Sequence, residues 1–126
     1  MNSRDVPDNF VLDGRAISVS YEGQPGATHR ELLDDPHCLG NIQVKDPHYV
    51  VVILGGNEVG SPMPVEQIKL DMTQFYEALR EVAPRAMIVA VQVETRHYEP
   101  GNTWQAPAGH AYQARRNVIN TFTSRM

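Results

Sequence analysis

The fold is predicted mainly from residues His48–Gly60, HYVVVILGGNEVG. In this segment an apolar run is followed directly by a glycine-rich turn with two polar side chains. The apolar part, Tyr49–Leu54, is mostly β-branched. Such a run is typical of a central strand covered on both faces, although a short buried helix can have the same pattern. Ligands of open α/β sheets bind beyond the carboxyl ends of such strands. We therefore expect Asn57 and Glu58 to lie at a site there.

Length and composition are those of an ordinary globular domain. The 126 residues, of which 41% are hydrophobic and 21% charged, suffice for one core and leave no room for a second. We expect a single domain over residues 1–126. The net charge is −4, and no run of Lys and Arg is longer than Arg115-Arg116. This charge pattern argues against nucleic acid or an anionic membrane as the main partner.

Three further observations bear on the cellular compartment. No apolar run approaches the roughly 20 residues that span a bilayer. The N-terminal sequence has no apolar signal-peptide core. Cys38 is the only cysteine, so no internal disulfide can form and a reducing compartment is favoured. We therefore expect a cytoplasmic location.

The N-terminal third predicts one strand and one short helix. Residues 1–14 are polar and are expected to form an irregular lead-in. Ala16–Tyr21 alternates apolar and polar side chains as a strand does, and a turn rich in Gly and Pro follows at 22–26. The segment Thr28–Glu31 fits a helix capping box, and Pro36 is expected to end that helix soon after it begins.

The strongest helix is predicted after the central strand, at Val65–Val82. Its apolar residues recur at steps of three and four and therefore share one face: Val65, Ile68, Met72, Phe75, Leu79 and Val82. The solvated side is expected to carry Lys69, Asp71, Gln74, Glu77 and Arg80. A third strand at Ala86–Val93, a loop at 95–109 and a helix over 110–123 complete the predicted order.

This alternation of strands and helices predicts an α/β fold. Repeated β–α units form parallel sheets with right-handed crossovers and helices on both faces, so we expect a three-layer α/β/α domain. Only three strands are recognisable, and a doubly wound domain normally has more. The sequence therefore predicts a truncated domain, whose exposed sheet edges invite self-association.

Two segments resemble the SGNH (GDSL-type) hydrolases. The sequence QPGAT at 24–28, after a strand, resembles the second sequence block of that family, and VVILGGNE at 51–58 resembles the third. The later elements, including RRNVIN at 115–120, follow the family order, so the resemblance covers about residues 15–122. Where the family most often has Asp after the Asn, this chain has Glu58. The resemblance implies the flavodoxin-like SGNH-hydrolase fold.

The resemblance also implies a serine mechanism acting on a small carboxylester or acetyl ester. In the family a first-block serine attacks the carbonyl, and its amide, the second-block glycine amide and the third-block asparagine side chain form the oxyanion hole. Gly26 and Asn57 are the matching positions here. A developing alkoxide needs preorganised donors, and losing one typically costs about 100- to 1000-fold in rate. No cofactor is implied, and no His or Cys spacing typical of a metal site occurs.

Other family blocks are not identifiable, which leaves activity open. The Gly-Asp-Ser block of the nucleophile and the Asp-x-x-His block of the base are missing. Ser3 lies nearest to the nucleophile position, and His97 or His110 lie nearest to the base, although surface histidines are the favoured interpretation of both. The alternative to a weakly active or inactive hydrolase is a noncatalytic SGNH-like binding module.

The site residues have plainer interpretations too. Gly26 can be a turn glycine without a role in chemistry. Asn57 can cap the following helix or occupy a left-handed turn position. Glu58 is expected to be a solvated loop carboxylate or the partner of a nearby arginine.

Overall fold

The computed structural model describes residues 9–23, 26–93 and 106–124, and of residues 106–113 the backbone alone. Its strands and helices are β1 Asn9–Leu12, β2 Arg15–Ser18, α1 His29–Asp34, α2 Pro36–Lys45, β3 Tyr49–Val52, α3 Gly56–Val59, α4 Val65–Val82, β4 Met87–Ala90 and α5 Ala106–Ser124. The predicted α/β class is thereby confirmed. Within the described ranges, no helix has the length and apolar character needed to cross a membrane.

The strands β3 and β4 form the parallel pair that positions the site. They pair in register from Tyr49 opposite Met87 to Val52 opposite Ala90, and α4 connects them. The Val91 N–H donates to the Val52 carbonyl at 2.9 Å and extends the pairing past the end of β4. The parallel β–α–β unit predicted from the sequence is therefore present, with both strands shorter than their apolar runs.

The main core lies between one face of this sheet and α1, α2 and α4. Its buried members come from all of these elements: Ala27, Leu32, Cys38, Val52, Phe75, Tyr76 and Leu79. Burial raises the pKa of the Cys38 thiol, which fits its place in this apolar cluster. A second cluster joins α4 to α5 through Ile68, Met72 and Ile119, together with Val59 of α3. The predicted apolar stripe of α4 is thus the centre of the core.

The opposite face of the sheet is exposed, so the expectation of a strand covered on both faces is wrong. Alternate residues of the two strands and their extensions carry large exposed side chains on this side: Tyr49, Val51, Ile53, Met87, Val89 and Val91. A continuous apolar run does predict a strand, but it does not tell whether a second layer covers it.

The lead-in predicted for residues 1–14 is also wrong where the structure describes it. Asn9–Leu12 is a strand that pairs antiparallel with β2. The two residues between them, Asp13 and Gly14, both have positive φ angles, +49° and +76°. An Asp-Gly pair with this geometry is the usual two-residue hairpin turn. The first predicted strand therefore belongs to a hairpin and not to the parallel sheet.

The short helix predicted after Thr28 is confirmed, whereas a second helix was not predicted and the last helix begins earlier than expected. The capping box of Thr28 and Glu31 is present and α1 ends at Asp34, but Pro36 then begins a second helix, α2. Proline is favoured in the first turn of a helix, where its missing N–H costs nothing. The Asp35 carboxylate caps α2 by accepting from the His37 N–H at 2.9 Å. The last helix begins at Ala106, and the rest of the loop predicted for 95–109 lies outside the described residues.

Asp71, which we expected on the solvated side of α4, is only 2% exposed. Its Oδ1 atom accepts from Arg30 Nε and NH2 at 3.1 and 3.0 Å, and from Gln67 at 2.8 Å. The arginine lies on α1, 41 residues away in sequence. A helical wheel cannot reveal such a partner, and the carboxylate is buried because α1 supplies the compensating charge.

Candidate functional site

The candidate site is built on the turn that joins β3 to α3. Gly55 occupies the N-cap of α3 with φ +108°, a conformation that side chains rarely adopt. A Cβ at this position would lie 2.8 Å from Val93 Cγ2 and 3.4 Å from Ile119 Cγ2. Glycine is therefore required here both by backbone conformation and by close packing. The turn places the next residues, Gly56 and Asn57, at the carboxyl end of β3.

Asn57 and Gly26 lie next to each other in space. The Asn57 Nδ2 atom donates a hydrogen bond to the Ala27 carbonyl at 3.1 Å, across 30 residues of sequence. Both Asn57 and Gly26 are exposed. Gly26 has φ +79°, and a Cβ there would meet nothing within 4 Å, so backbone conformation alone favours glycine. The structure thus brings together the two positions that the sequence predicted from separate blocks.

Asn57 is neither a helix cap nor a left-handed turn residue, the two simpler interpretations of this position. Gly55, and not Asn57, holds the N-cap and the left-handed conformation of this turn, and α3 has no side-chain cap. The amide group of Asn57 has two N–H donors, and only one is directed at Ala27. The second remains able to bind an oxygen atom of a ligand.

Glu58 is not a solvated loop carboxylate, and this expectation is corrected by the structure. Its residue is 0% exposed, and His29 is 1% exposed. The His29 Nδ1 atom makes a short hydrogen bond to Glu58 Oε2, and the His29 backbone N–H donates to the same oxygen at 3.3 Å. The expected arginine partner is not found among the described contacts of the carboxylate, and Arg115 contacts the Glu58 carbonyl instead.

Aromatic rings hold His29 in place. Its ring centroid lies 5.5 Å from that of Phe75, edge on, and 6.0 Å from that of Tyr76. The Cε1 atom lies 3.9 Å from where a Cβ of Gly55 would be, directly beneath the turn. Burial raises the pKa of Tyr76 to about 12. His29 is therefore enclosed by the core and the turn.

Helix α5 supports the site from the other side. Arg115 donates to the Glu58 carbonyl at 2.8 Å and to the Val59 carbonyl at 3.2 Å, both at the end of α3. Asn120 accepts from the Val93 N–H at 2.6 Å and donates to the Val93 carbonyl at 3.0 Å. The RRNVIN sequence resembles a family segment, but nothing in the sequence indicates these contacts.

The side chains of the other candidate residues are outside the described part of the chain. Ser3 and His97 lie outside the described residues, as does the side chain of His110. His37 and His48 are exposed on α2 and before β3. Over the described part of the chain, no group of three His, Cys, Asp or Glu side chains could hold a metal ion.

These features define a class of protein: an α/β protein with a polar site at the carboxyl end of a parallel strand. The chain belongs to the GDSL-like lipase/acylhydrolase family, whose family model matches residues 4–125. The resemblance noted on residues 24–28 and 51–58 is thereby confirmed, and a hydrolase-like function is the general function of this family. No significant match is found among the curated proteins or the solved structures.

Proposed function

We propose that this protein is an SGNH-type ester hydrolase in which the Gly26 backbone N–H and the Asn57 carboxamide stabilise the oxyanion. The observation that supports this most directly is the 3.1 Å hydrogen bond from Asn57 Nδ2 to the Ala27 carbonyl. It holds the carboxamide against the residue that follows Gly26, and both Gly26 and Asn57 are exposed. The substrate class is a small carboxylester or acetyl ester.

The chemistry follows from the two donors. A serine hydroxyl attacks the ester carbonyl and forms a C–O bond while the carbonyl electrons move to its oxygen; a general base accepts the hydroxyl proton and passes it to the departing alcohol. Two neutral donors stabilise this oxyanion without adding a charge that would compete with the nucleophile. The tetrahedral intermediate then releases the alcohol, and water hydrolyses the remaining acyl group from the serine. Ser3 is the serine nearest to the family position of the nucleophile.

Hydrolysis of p-nitrophenyl acetate tests the proposal. Asn57→Ala should lower kcat/KM by roughly 100- to 1000-fold, because one preorganised donor is lost. Ser3→Ala should abolish hydrolysis if Ser3 is the nucleophile. Asn117→Ala, which changes an exposed asparagine of α5, is the matched control and should retain the parental rate. A parental chain that is folded by circular dichroism and hydrolyses no ester above buffer would overturn the proposal.

The second candidate function is a noncatalytic SGNH-like module that binds a ligand in the same cleft. The sequence favours it, because neither the Gly-Asp-Ser block of the nucleophile nor the Asp-x-x-His block of the base is identifiable. Binding of acetate or a small ester without turnover distinguishes the two candidates. We expect that Asn57→Ala weakens such binding in either case.

For the wider setting we propose that the β3–β4 pair belongs to a parallel sheet of the flavodoxin-like type and that the protein is cytoplasmic. The parallel β3–β4 pair with its crossover helix α4 supports the first, since this unit is the repeat from which such domains are built. The single cysteine, Cys38, supports the second, because it is buried and the chain has no internal disulfide framework of the kind common in secreted domains.

A further inference from the structure

We infer that His29 and Glu58 are positioning residues that fix the Gly26 and Asn57 donors relative to each other. The inference rests on the proposed function, since it assigns these donors their purpose. It concerns a buried contact between the two segments that carry the donors. Neither residue is expected to touch the substrate.

The two segments are joined by parallel contacts between neighbouring residues. Asn57 donates to the Ala27 carbonyl at 3.1 Å, and the next residue, Glu58, accepts from the backbone N–H of His29 at 3.3 Å and from its Nδ1 atom. Two consecutive residues of α3, Asn57 and Glu58, therefore form hydrogen bonds to two residues of the segment that follows Gly26. These two contacts together fix both the distance between the segments and their relative rotation, whereas a single contact would still allow one segment to rotate about it.

The His29–Glu58 pair is not explained by stability alone. The Glu58 side chain is 1% exposed, and its Oε1 atom has no hydrogen-bond partner among the described residues. Burying a carboxylate with an unsatisfied oxygen costs free energy, and apolar residues of similar volume often stabilise a core as well or better. A pair retained under these conditions is better explained by the geometry that it imposes on Gly26 and Asn57.

The length of the Glu58 side chain matters to this role. SGNH hydrolases most often have the shorter aspartate here, and in this chain the additional methylene lets Oε2 reach both donors of His29. Aspartate would keep the charge and shorten the reach, whereas glutamine would keep the reach and remove the charge. Comparing Glu58→Asp with Glu58→Gln therefore separates positioning from electrostatics.

The test compares Glu58→Asp and Glu58→Gln with Asp71→Asn. Asp71 is the matched control because it is another buried carboxylate, bonded to Arg30 of α1, and it does not contact Gly26, Ala27 or Asn57. Amide NMR spectra of the isotope-labelled chain report the Gly26 N–H and the Asn57 carboxamide directly. This measurement does not require activity, so it is independent of whether the parental chain hydrolyses an ester.

We expect Glu58→Asp to shift or broaden both the Gly26 and the Asn57 signals, and Glu58→Gln to do so less. Asp71→Asn should lower stability and leave both signals unchanged. If the parental chain is active, Glu58→Asp should lower kcat by roughly 10- to 100-fold with KM unchanged, because the donors are displaced in the transition state.

Three results would overturn the inference. The first is unchanged Gly26 and Asn57 signals in Glu58→Asp. The second is a larger effect of Glu58→Gln than of Glu58→Asp, which would indicate a charge effect. The third is an equal shift in Asp71→Asn. If Glu58→Asp does not fold, His29→Ala replaces it with the same expected shifts, since it leaves the Asn57–Ala27 contact in place.

Discussion

Gly55 shows how much the site depends on a single backbone position. Its φ of +108° and the 2.8 Å approach of Val93 Cγ2 leave no space for a side chain. We expect Gly55→Ala to lower the free energy of unfolding by roughly 1–3 kcal/mol, since a side chain in this conformation is strained. Urea denaturation measures the change.

The matched control for this prediction is Gly40→Ala. Gly40 lies inside α2, has no positive φ, and a Cβ there would meet nothing within 4 Å. Alanine should stabilise that helix by about 0.5–1 kcal/mol. Equal effects of the two substitutions would contradict the close packing assigned to the turn.

The raised pKa of Tyr76 predicts how the free energy of unfolding depends on pH in the alkaline range. Burial raises its pKa from the ordinary value of 10 to about 12. The unfolded chain therefore ionises this phenol from about pH 10 upward, while the folded chain keeps it neutral to about pH 12. The stabilisation is complete below pH 10 and is lost between pH 10 and 12, on the order of 2 to 3 kcal/mol.

Urea denaturation at pH 9 to 12 tests this prediction. Tyr76→Phe should remove this part of the alkaline loss, and Tyr49→Phe, at an exposed position, should not. The same alkaline loss in Tyr76→Phe and in the parental chain would show that Tyr76 does not contribute.

The sequence predicted the two donor residues but not the pair beneath them. Gly26 and Asn57 each follow a predicted strand and match a family segment, so we could expect that they lie close to each other. The His29–Glu58 contact joins residues 29 apart in sequence, and a histidine at a helix start has no pattern that indicates burial. Its only sequence signal is that Glu58 replaces the usual aspartate.

Among the elements, α5 is linked to the sheet through Asn120. Its carboxamide makes two hydrogen bonds to the backbone of Val93, just beyond β4. We expect Asn120→Ala to lower the free energy of unfolding by about 1–3 kcal/mol, because a partly buried N–H and carbonyl lose their partner. Hydrogen exchange at the Val93 amide should become faster.

Asn117→Ala is the control for this substitution. Asn117 lies on the exposed side of the same helix and should change neither stability nor exchange at Val93. Loss of stability in both variants would indicate an effect on helix propensity and not on the contact with the sheet.

Elements with long periodic patterns were predictable, and short ones were not. The bounds of α4 agree with the prediction because its apolar residues repeat over five turns of helix. The strand β1 is four residues long and was missed, although Asp13-Gly14 is a hairpin signal. Helix α1 ends before Pro36 as predicted, but α2 was not predicted, because a proline that follows one helix can also begin the next.

At the scale of the molecule, the exposed face of the β3–β4 sheet predicts self-association. Its side chains are apolar and large, with Tyr49 66% and Val51 58% exposed. Both strands of this pair are edge strands within the described residues. Such surfaces pair with another copy of the chain or aggregate. Sedimentation velocity should therefore show association that increases with concentration.

Val51→Lys should shift this equilibrium toward the monomer, because a charge would be buried at the interface. Val44→Lys is the matched control, since Val44 is 85% exposed on α2 and does not belong to the sheet face. A parental chain that stays monomeric at all concentrations and unfolds in one cooperative transition would contradict the prediction.

The overall topology could be predicted only in part. The parallel β–α–β unit follows from the order of apolar runs. The sequence does not determine whether Ala16–Tyr21 joins that sheet or pairs locally, because an alternating strand has the same pattern in both. Local pairing across the Asp13-Gly14 turn is the arrangement present.

We propose that Gly26 and Asn57 form the oxyanion site of a serine hydrolase. Labelling with a fluorophosphonate tests it most directly, since a catalytic serine displaces fluoride from phosphorus and the product can be located by mass spectrometry. We expect one phosphonyl group on a single serine, formed roughly 100-fold more slowly in Asn57→Ala and at the parental rate in Asn117→Ala. A folded parental chain that is not labelled, or is labelled equally fast in Asn57→Ala, would contradict the claim.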